Sequence, residues 1–178
     1  MQRRSAITLL LGASVAAGTG PVRAQSLDWE TIAGHDGRYS LEMPRGYRYL
    51  TARKSDDDTL RQYVFRWNGG GLDFAFYDQS QVEDGSNMPM DLWVILKNMQ
   101  AAVQKRWPGS TVLQQSEAQL GPAQGRSFTL SVDQGRNVVV VRIYYANARL
   151  YEVLALVPAA EQNGPVVTRF MNSVRIVR

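Results

Sequence analysis

Apolar side chains recur at every second position along much of this chain, the period of a strand with one buried face. Tyr39-Ser40-Leu41-Glu42-Met43 alternates in this way, and Pro44-Arg45-Gly46 stops it. Before it, residues 26–34 carry Leu27, Trp29 and Ile32 and predict a short first strand, with His35-Asp36-Gly37 as the turn between. Residues 51–60, with Lys54 to Asp58 at their centre, predict a solvated loop. Tyr63, Phe65 and Trp67 then share one strand face, and Leu72, Phe74 and Phe76 share the next. A four-residue turn, Asn68 to Gly71, would set Trp67 opposite Leu72, Phe65 opposite Phe74 and Tyr63 opposite Phe76. The same register sets Arg66 opposite Asp73 on the other face.

After a polar stretch at 78–88 the period changes. Pro89 suits the first turn of a helix. Leu92, Ile95, Leu96, Met99, Val103 and Trp107 form one helical stripe, ended by Pro108-Gly109. A further strand is expected around Val112–Leu120. Phe128, Leu130 and Val132 alternate with Ser127, Thr129 and Ser131, and Asp133 to Arg136 reads as a hairpin turn. Val138 to Tyr145 and Leu150 to Val157, joined by Asn147-Ala148, are apolar on both faces, interrupted by Arg142 and Glu152. Such strands are buried on both sides of a sheet. A second helix is expected over 165–174, with Pro165 at its start, and the tail Arg175-Ile176-Val177 reads as extended. Hairpin-linked strands with two helices to cover two faces predict an α+β fold: a largely antiparallel sheet sandwiched between helices.

The amino-terminal segment reads differently. Arg3 and Arg4 precede an apolar or small run, Ala6 to Gly18, followed by Gly20-Pro21 and Val22-Arg23-Ala24. This is the pattern of a signal peptide cut between Ala24 and Gln25, leaving residues 25–178 as one domain. The apolar run is too short for the roughly 20 residues of a membrane span, so no integral anchor is expected after cleavage. Arg3-Arg4 fits a twin-arginine signal or an ordinary secretory one. Ala6 stands where the twin-arginine class has a large apolar residue. The expected location is the periplasm or the medium.

Charge and cysteine content narrow the chemistry. Loss of the segment removes Arg3, Arg4 and Arg23 and no acid, taking the formal charge from +4 to +1. A domain so nearly neutral has no general basic field for nucleic acid. With no cysteine there is no disulfide, thiol nucleophile or cysteine-bound metal.

The remaining candidates do not assemble into a catalytic centre. His35, the one histidine, sits in a turn beside Asp36, and no Gly-x-Ser-x-Gly elbow is present. Asp56-Asp57-Asp58 lacks the ligand spacing and glycine of a calcium loop. Gly69-Gly70-Gly71 lies between strands, where a phosphate loop needs a helix after it. Glu42, Asp73, Asp78 and Glu152 are strand acids, and two that converged would suit a glycosidase-like hydrolase. Glu152 stands out because Leu150 and Leu154 flank it on its face. Tyr47, Arg48 and Tyr49 are the candidate contact residues. No catalytic residue, metal site or cofactor is expected.

The stretch Tyr39-Ser40-Leu41-Glu42-Met43-Pro44-Arg45-Gly46-Tyr47 resembles the strand and Pro-x-aromatic turn of the PsbP-like superfamily. That superfamily includes the extrinsic photosystem II subunit and bacterial periplasmic DcrB-like proteins. Arg149-Leu150-Tyr151 and Arg169-Phe170-Met171-Asn172-Ser173-Val174 match it at the other end. The resemblance implies an α/β/α arrangement, and accessory or binding roles without a shared active site. It therefore favours an exported accessory protein contacting a protein partner in the envelope or an electron-transfer complex. An envelope hydrolase using strand-borne carboxylates is the alternative.

Overall fold

The computed structural model describes residues 27–53, 59–78 and 91–177, so the signal segment, Asp56 to Asp58 and Pro89 lie outside the described residues. A small sheet has β2 (Tyr39–Pro44) at its centre, with β1 (Trp29–Ala33) and β10 (Arg175–Ile176) on either side, both antiparallel to it. A larger, wholly antiparallel sheet holds β3 (Arg48–Arg53), β4 (Thr59–Trp67), β5 (Gly70–Asp78), β6 (Thr111–Leu120), β7 (Ala123–Val132), β8 (Asn137–Ala146) and β9 (Arg149–Pro158). Its strand order is β3-β4-β5-β9-β8-β7-β6. Two helices complete the order, α1 (Leu92–Lys105) and α2 (Pro165–Ser173).

Two local expectations need correction. The segment read as a loop from 51 to 60 holds the end of β3 and the start of β4, which pair from Arg48↔Val64 to Arg53↔Thr59. Its charged side chains obscured the strand. The β4–β5 turn is two residues long, not four: Trp67 faces Gly70, Phe65 faces Leu72 and Tyr63 faces Phe74. Asn68-Gly69 makes the turn, and Gly69 takes the φ of +91° that favours glycine. Gly70 and Gly71 belong to the strand because the side chains opposite need their space. A Cβ on Gly70 would sit 2.5 Å from the Trp67 ring, and one on Gly71 2.7 Å from Arg66. The register slips by two residues, so every side chain keeps its predicted face. Arg66 and Asp73 therefore still meet, but diagonally, at 3.6 Å.

The apolar positions of β8 and β9 are divided as their alternation requires. Val139, Val141, Ile143 and Leu154 join Phe128, Leu130 and Val132 in one cluster, to which α1 adds Leu96 and Val103. Val138, Val153, Ala155 and Val157, on the opposite face, join a second cluster. Helix α1 is started by Asp91, whose Oδ1 accepts the N–H of Trp93 at 2.9 Å.

Helices alone do not sandwich the sheet. The second cluster is filled by Val167, Phe170 and Met171 of α2 together with Tyr39, Leu41 and Met43 of β2 and Ile176 of β10. The short β10 pairs only with Ser40 and Tyr39. Beyond it, the Ser173 Oγ at the end of α2 accepts the Glu42 N–H at 2.9 Å, a bond the strand pairing does not supply. Tyr39 lies at the contact of the two sheets. Its ring centroid is 5.0 Å from that of Phe74, 4.7 Å from Phe76 and 6.3 Å from Tyr151. Its hydroxyl meets that of Tyr63 at 3.1 Å.

The burial of both faces has a direct energetic test. Leu154→Ala should cost about 2–5 kcal/mol through lost transfer energy and the cavity left under α1. Ser131→Ala, at a half-exposed position, should cost less than about 0.5 kcal/mol. Urea melts check this, and equal midpoints for the two variants would contradict the packing.

Candidate functional site

Every described strand acid that the sequence offered for catalysis is tied to an arginine. Glu42 accepts from the Arg169 Nε at 2.6 Å, and the Arg169 guanidinium lies over the Trp29 ring at 4.7 Å. Asp78 takes a two-pronged contact from Arg149, with Nε at 2.7 Å and Nη2 at 3.0 Å. Arg149 also donates through Nη1 to Asp36 at 2.6 Å and covers the Phe76 ring at 4.9 Å. Arg61 and Arg38 also approach the Asp78 carboxylate, at 3.4 and 3.9 Å. Asp78 ends β5, Arg149 begins β9 and Asp36 stands in the turn before β2, so this group fastens the small sheet to the large one. Hydrogen bonds from Arg149 hold the Asp78 carboxyl below its ordinary range. For Asp36 burial acts upward, but the Arg38 N–H and the Arg149 guanidinium outweigh it and lower its pKa.

The second charged group lies on the α1 face of the sheet. Glu152 is buried and accepts from Arg106, the residue after α1, at 2.5 Å. On the neighbouring strand β5, Asp73 faces Leu154 of β9 and is 1% exposed. Its Oδ2 accepts from the Gln62 amide at 2.5 Å, and Arg66 is 3.6 Å away. Its Oδ1 has no hydrogen-bond partner among the described residues. Burial, reinforced by the negative charge of Glu152, pushes the Asp73 carboxyl up to about 7. The arginine partners lower it and do not fully compensate.

These carboxylates differ from a glycosidase pair in the respect that matters most. Asp73 and Glu152 share a face and influence each other, but both are buried among the described residues. Arg142, the other charge interrupting the apolar strands, does not converge with Glu152. It lies on the opposite face, where its Nη1 donates to the Met171 carbonyl at 2.9 Å. His35 is exposed in its turn. Among the described residues no three His, Cys, Asp or Glu side chains gather as a metal would require, and no helix is long and apolar enough to cross a membrane.

The contact candidates separate. Tyr47 is half-buried, with its ring 5.7 Å from that of Tyr63. Arg48 and Tyr49 begin the edge strand β3 and are exposed. Tyr49 is 49% exposed while leaning on Tyr63 at 4.8 Å, and Leu50 beside it is 38% exposed. A separate open groove of about 460 Å³ runs between β2 and α2, lined by polar groups that include Thr31, Ser40, Asn172 and Arg175. Sequence reasoning missed both this groove and the Arg149 group. Asp36, Asp78 and Arg149 lie far apart along the chain, and only the β5–β9 pairing brings Asp78 opposite Arg149.

The architecture has solved counterparts, and the fold is PsbP-like. The cyanobacterial PsbP protein CyanoP of Synechocystis aligns over 90% of this chain and 98% of its own, at 10% identity and a TM-score of 0.54. LpqN of Mycobacterium tuberculosis, described as involved in cell envelope biogenesis, aligns over 86% of this chain and 93% of its own, at 12% identity and a TM-score of 0.48. The Ran-binding protein Mog1p of Saccharomyces cerevisiae aligns over 85% and 97%, at 12% identity and a TM-score of 0.47. No family model and no curated protein matches the sequence.

The buried Asp73 should give stability a distinct pH dependence. Its carboxyl titrates near 7 in the folded chain and near 4 in the unfolded one. Between those values the folded state holds the extra proton, so this group's stabilisation is complete below about pH 4 and is lost as pH rises through about 7. Asp73→Asn should therefore flatten the fall in melting temperature between pH 5 and pH 8, by about a few degrees. Parallel slopes for the two proteins would contradict the assignment.

Proposed function

We propose that this chain is an exported accessory protein that binds a protein partner in the cell envelope, at an envelope or electron-transfer complex, through the start of β3. The observation that carries this reading is the use of its charges. Glu42, Asp78 and Glu152 are each held by an arginine of the fold, and Asp73, which its arginine only partly compensates, is 1% exposed. What stands exposed at the sheet edge is instead Arg48 and Leu50 on one face of β3 and Tyr49 on the other. Tyrosine and arginine are the residue types that anchor protein interfaces. Tyr49 is already supported from behind by Tyr63, which reduces the ordering cost of contact. Export rests on Arg3-Arg4, the apolar run and Val22-Arg23-Ala24. A PsbP-like fold suits such a role but does not by itself specify one.

The test joins location to contact. Protein recovered from the envelope of producing cells should begin at Gln25. A photo-crosslinking residue in place of Tyr49 should give one discrete adduct there, absent when the probe replaces Asn172 in the groove. Protein beginning at Met1 in the cytoplasm would overturn export. A clean envelope location with no adduct at Tyr49 would overturn the contact surface.

A further inference from the structure

The two ends of the large sheet are protected unequally. Strand β3 is six residues long and carries arginine at both ends, Arg48 and Arg53. Strand β6 is ten residues long, and its first seven residues are all exposed. It contains one charge, Glu117, and no lysine, arginine or proline. Its apolar exposure includes Val112 and Leu113. Among the described residues β6 pairs only with β7, so one row of its backbone N–H and C=O groups is unpaired. Charges and prolines usually block such an edge, and β6 has only Glu117 and a bulge between Val112 and Gln114. Residues 114–120 beyond the bulge are regular.

We propose that β6 pairs antiparallel with β6 of a second copy, about a two-fold axis at Ser116, joining two seven-stranded sheets into one. The axis follows from side-chain faces. An antiparallel two-fold keeps each sheet face on its own side only when the axis passes through a residue. Passing through Glu117 would set two carboxylates against each other. Passing through Ser116 sets two small hydroxyls together and Gln114 opposite Ala118 of the partner subunit. On the α1 face it sets Glu117 opposite Gln115 of the partner subunit. Within one chain, Arg126 faces Glu117 across β6–β7 and donates from Nη2 to Gln115 at 3.1 Å. The register thus brings each Glu117 to the edge of the other copy's Gln115–Arg126 pair. The complementarity comes from β7, whose Arg126 reaches across β6 to Gln115 and so meets Glu117 of the partner subunit in this register, which selects a second copy as the occupant. The contact lies at the opposite end of the sheet from β3 and leaves the proposed partner surface open.

The absence of cysteine makes the test direct. Ser116→Cys places one thiol on each copy at the axis and should give a covalent dimer in high yield on mild oxidation. Asn172→Cys, in the groove beside α2, should give little. Sedimentation of the unmodified chain should show a concentration-dependent dimer, and Ser116→Arg, which sets like charges together, should weaken it at least about tenfold. Circular dichroism should show both variants folded, as an exposed position allows. A chain that stays monomeric with Ser116→Cys uncrosslinked would overturn the proposal. So would a dimer indifferent to Ser116→Arg, or an edge occupied by a strand of some other protein.

Discussion

The structure depends on one aromatic side chain that belongs to neither half alone. Tyr39 leaves the small sheet and enters the face of the large one, among Phe74, Phe76, Tyr63 and Tyr151. A three-stranded sheet whose third strand has two residues has little core of its own. It persists because its buried face is also the cover of the large sheet. Aromatic rings tilted at these spacings add to the area they bury. The Arg149 group lies beside the same contact and holds the turn before β2 against the ends of β5 and β9. Around that junction α2 closes the layer, and its Ser173 completes the hydrogen bonding of β2.

The opposite face is simpler in its apolar part and less so in its charges. Helix α1 covers β7, β8 and β9 with aliphatic side chains, and the Arg106–Glu152 pair fixes its last turn. A buried ion pair of this kind adds little net stability, yet removing one partner strands the other. Asp73, farther along the face, is only partly compensated, which is why its carboxyl titrates so high. The molecule therefore spends its acids on holding layers together. This use of the strand carboxylates is the physical basis of the binding role proposed above.

Much of this architecture was legible in the sequence, and the failures have specific causes. The α1 stripe from Leu92 to Trp107 and the two-sided burial of β8 and β9 follow from periodicity alone, since one face needs a helix and two need two layers. The Asn147-Ala148 turn was also legible, and both residues take positive φ there. The β4–β5 register was not, because three consecutive glycines look like turn residues whether they free the backbone or make room for Trp67 and Arg66. Strand β3 was hidden by the charges that follow it. The small sheet was expected only as isolated strands, because its third member comes from the far end of the chain. Among the site residues, the oddity of Glu152 was visible, but its partner Arg106 was not, nor was the meeting of Arg149 with Asp36 and Asp78. Long-range ion pairs leave no periodic trace.

The claim that Tyr39 makes one cooperative unit of two sheets is tested by native-state amide exchange on the unaltered chain and on Tyr39→Ala. Removing the ring should cost about 3–5 kcal/mol, as for other buried aromatics. In a single unit that loss appears at every slowly exchanging amide. Protection in β2 and β10 should therefore fall together with protection in β5 and β9, by the same increment. Loss of protection confined to the small sheet, with β5 and β9 exchanging as before, would contradict the account.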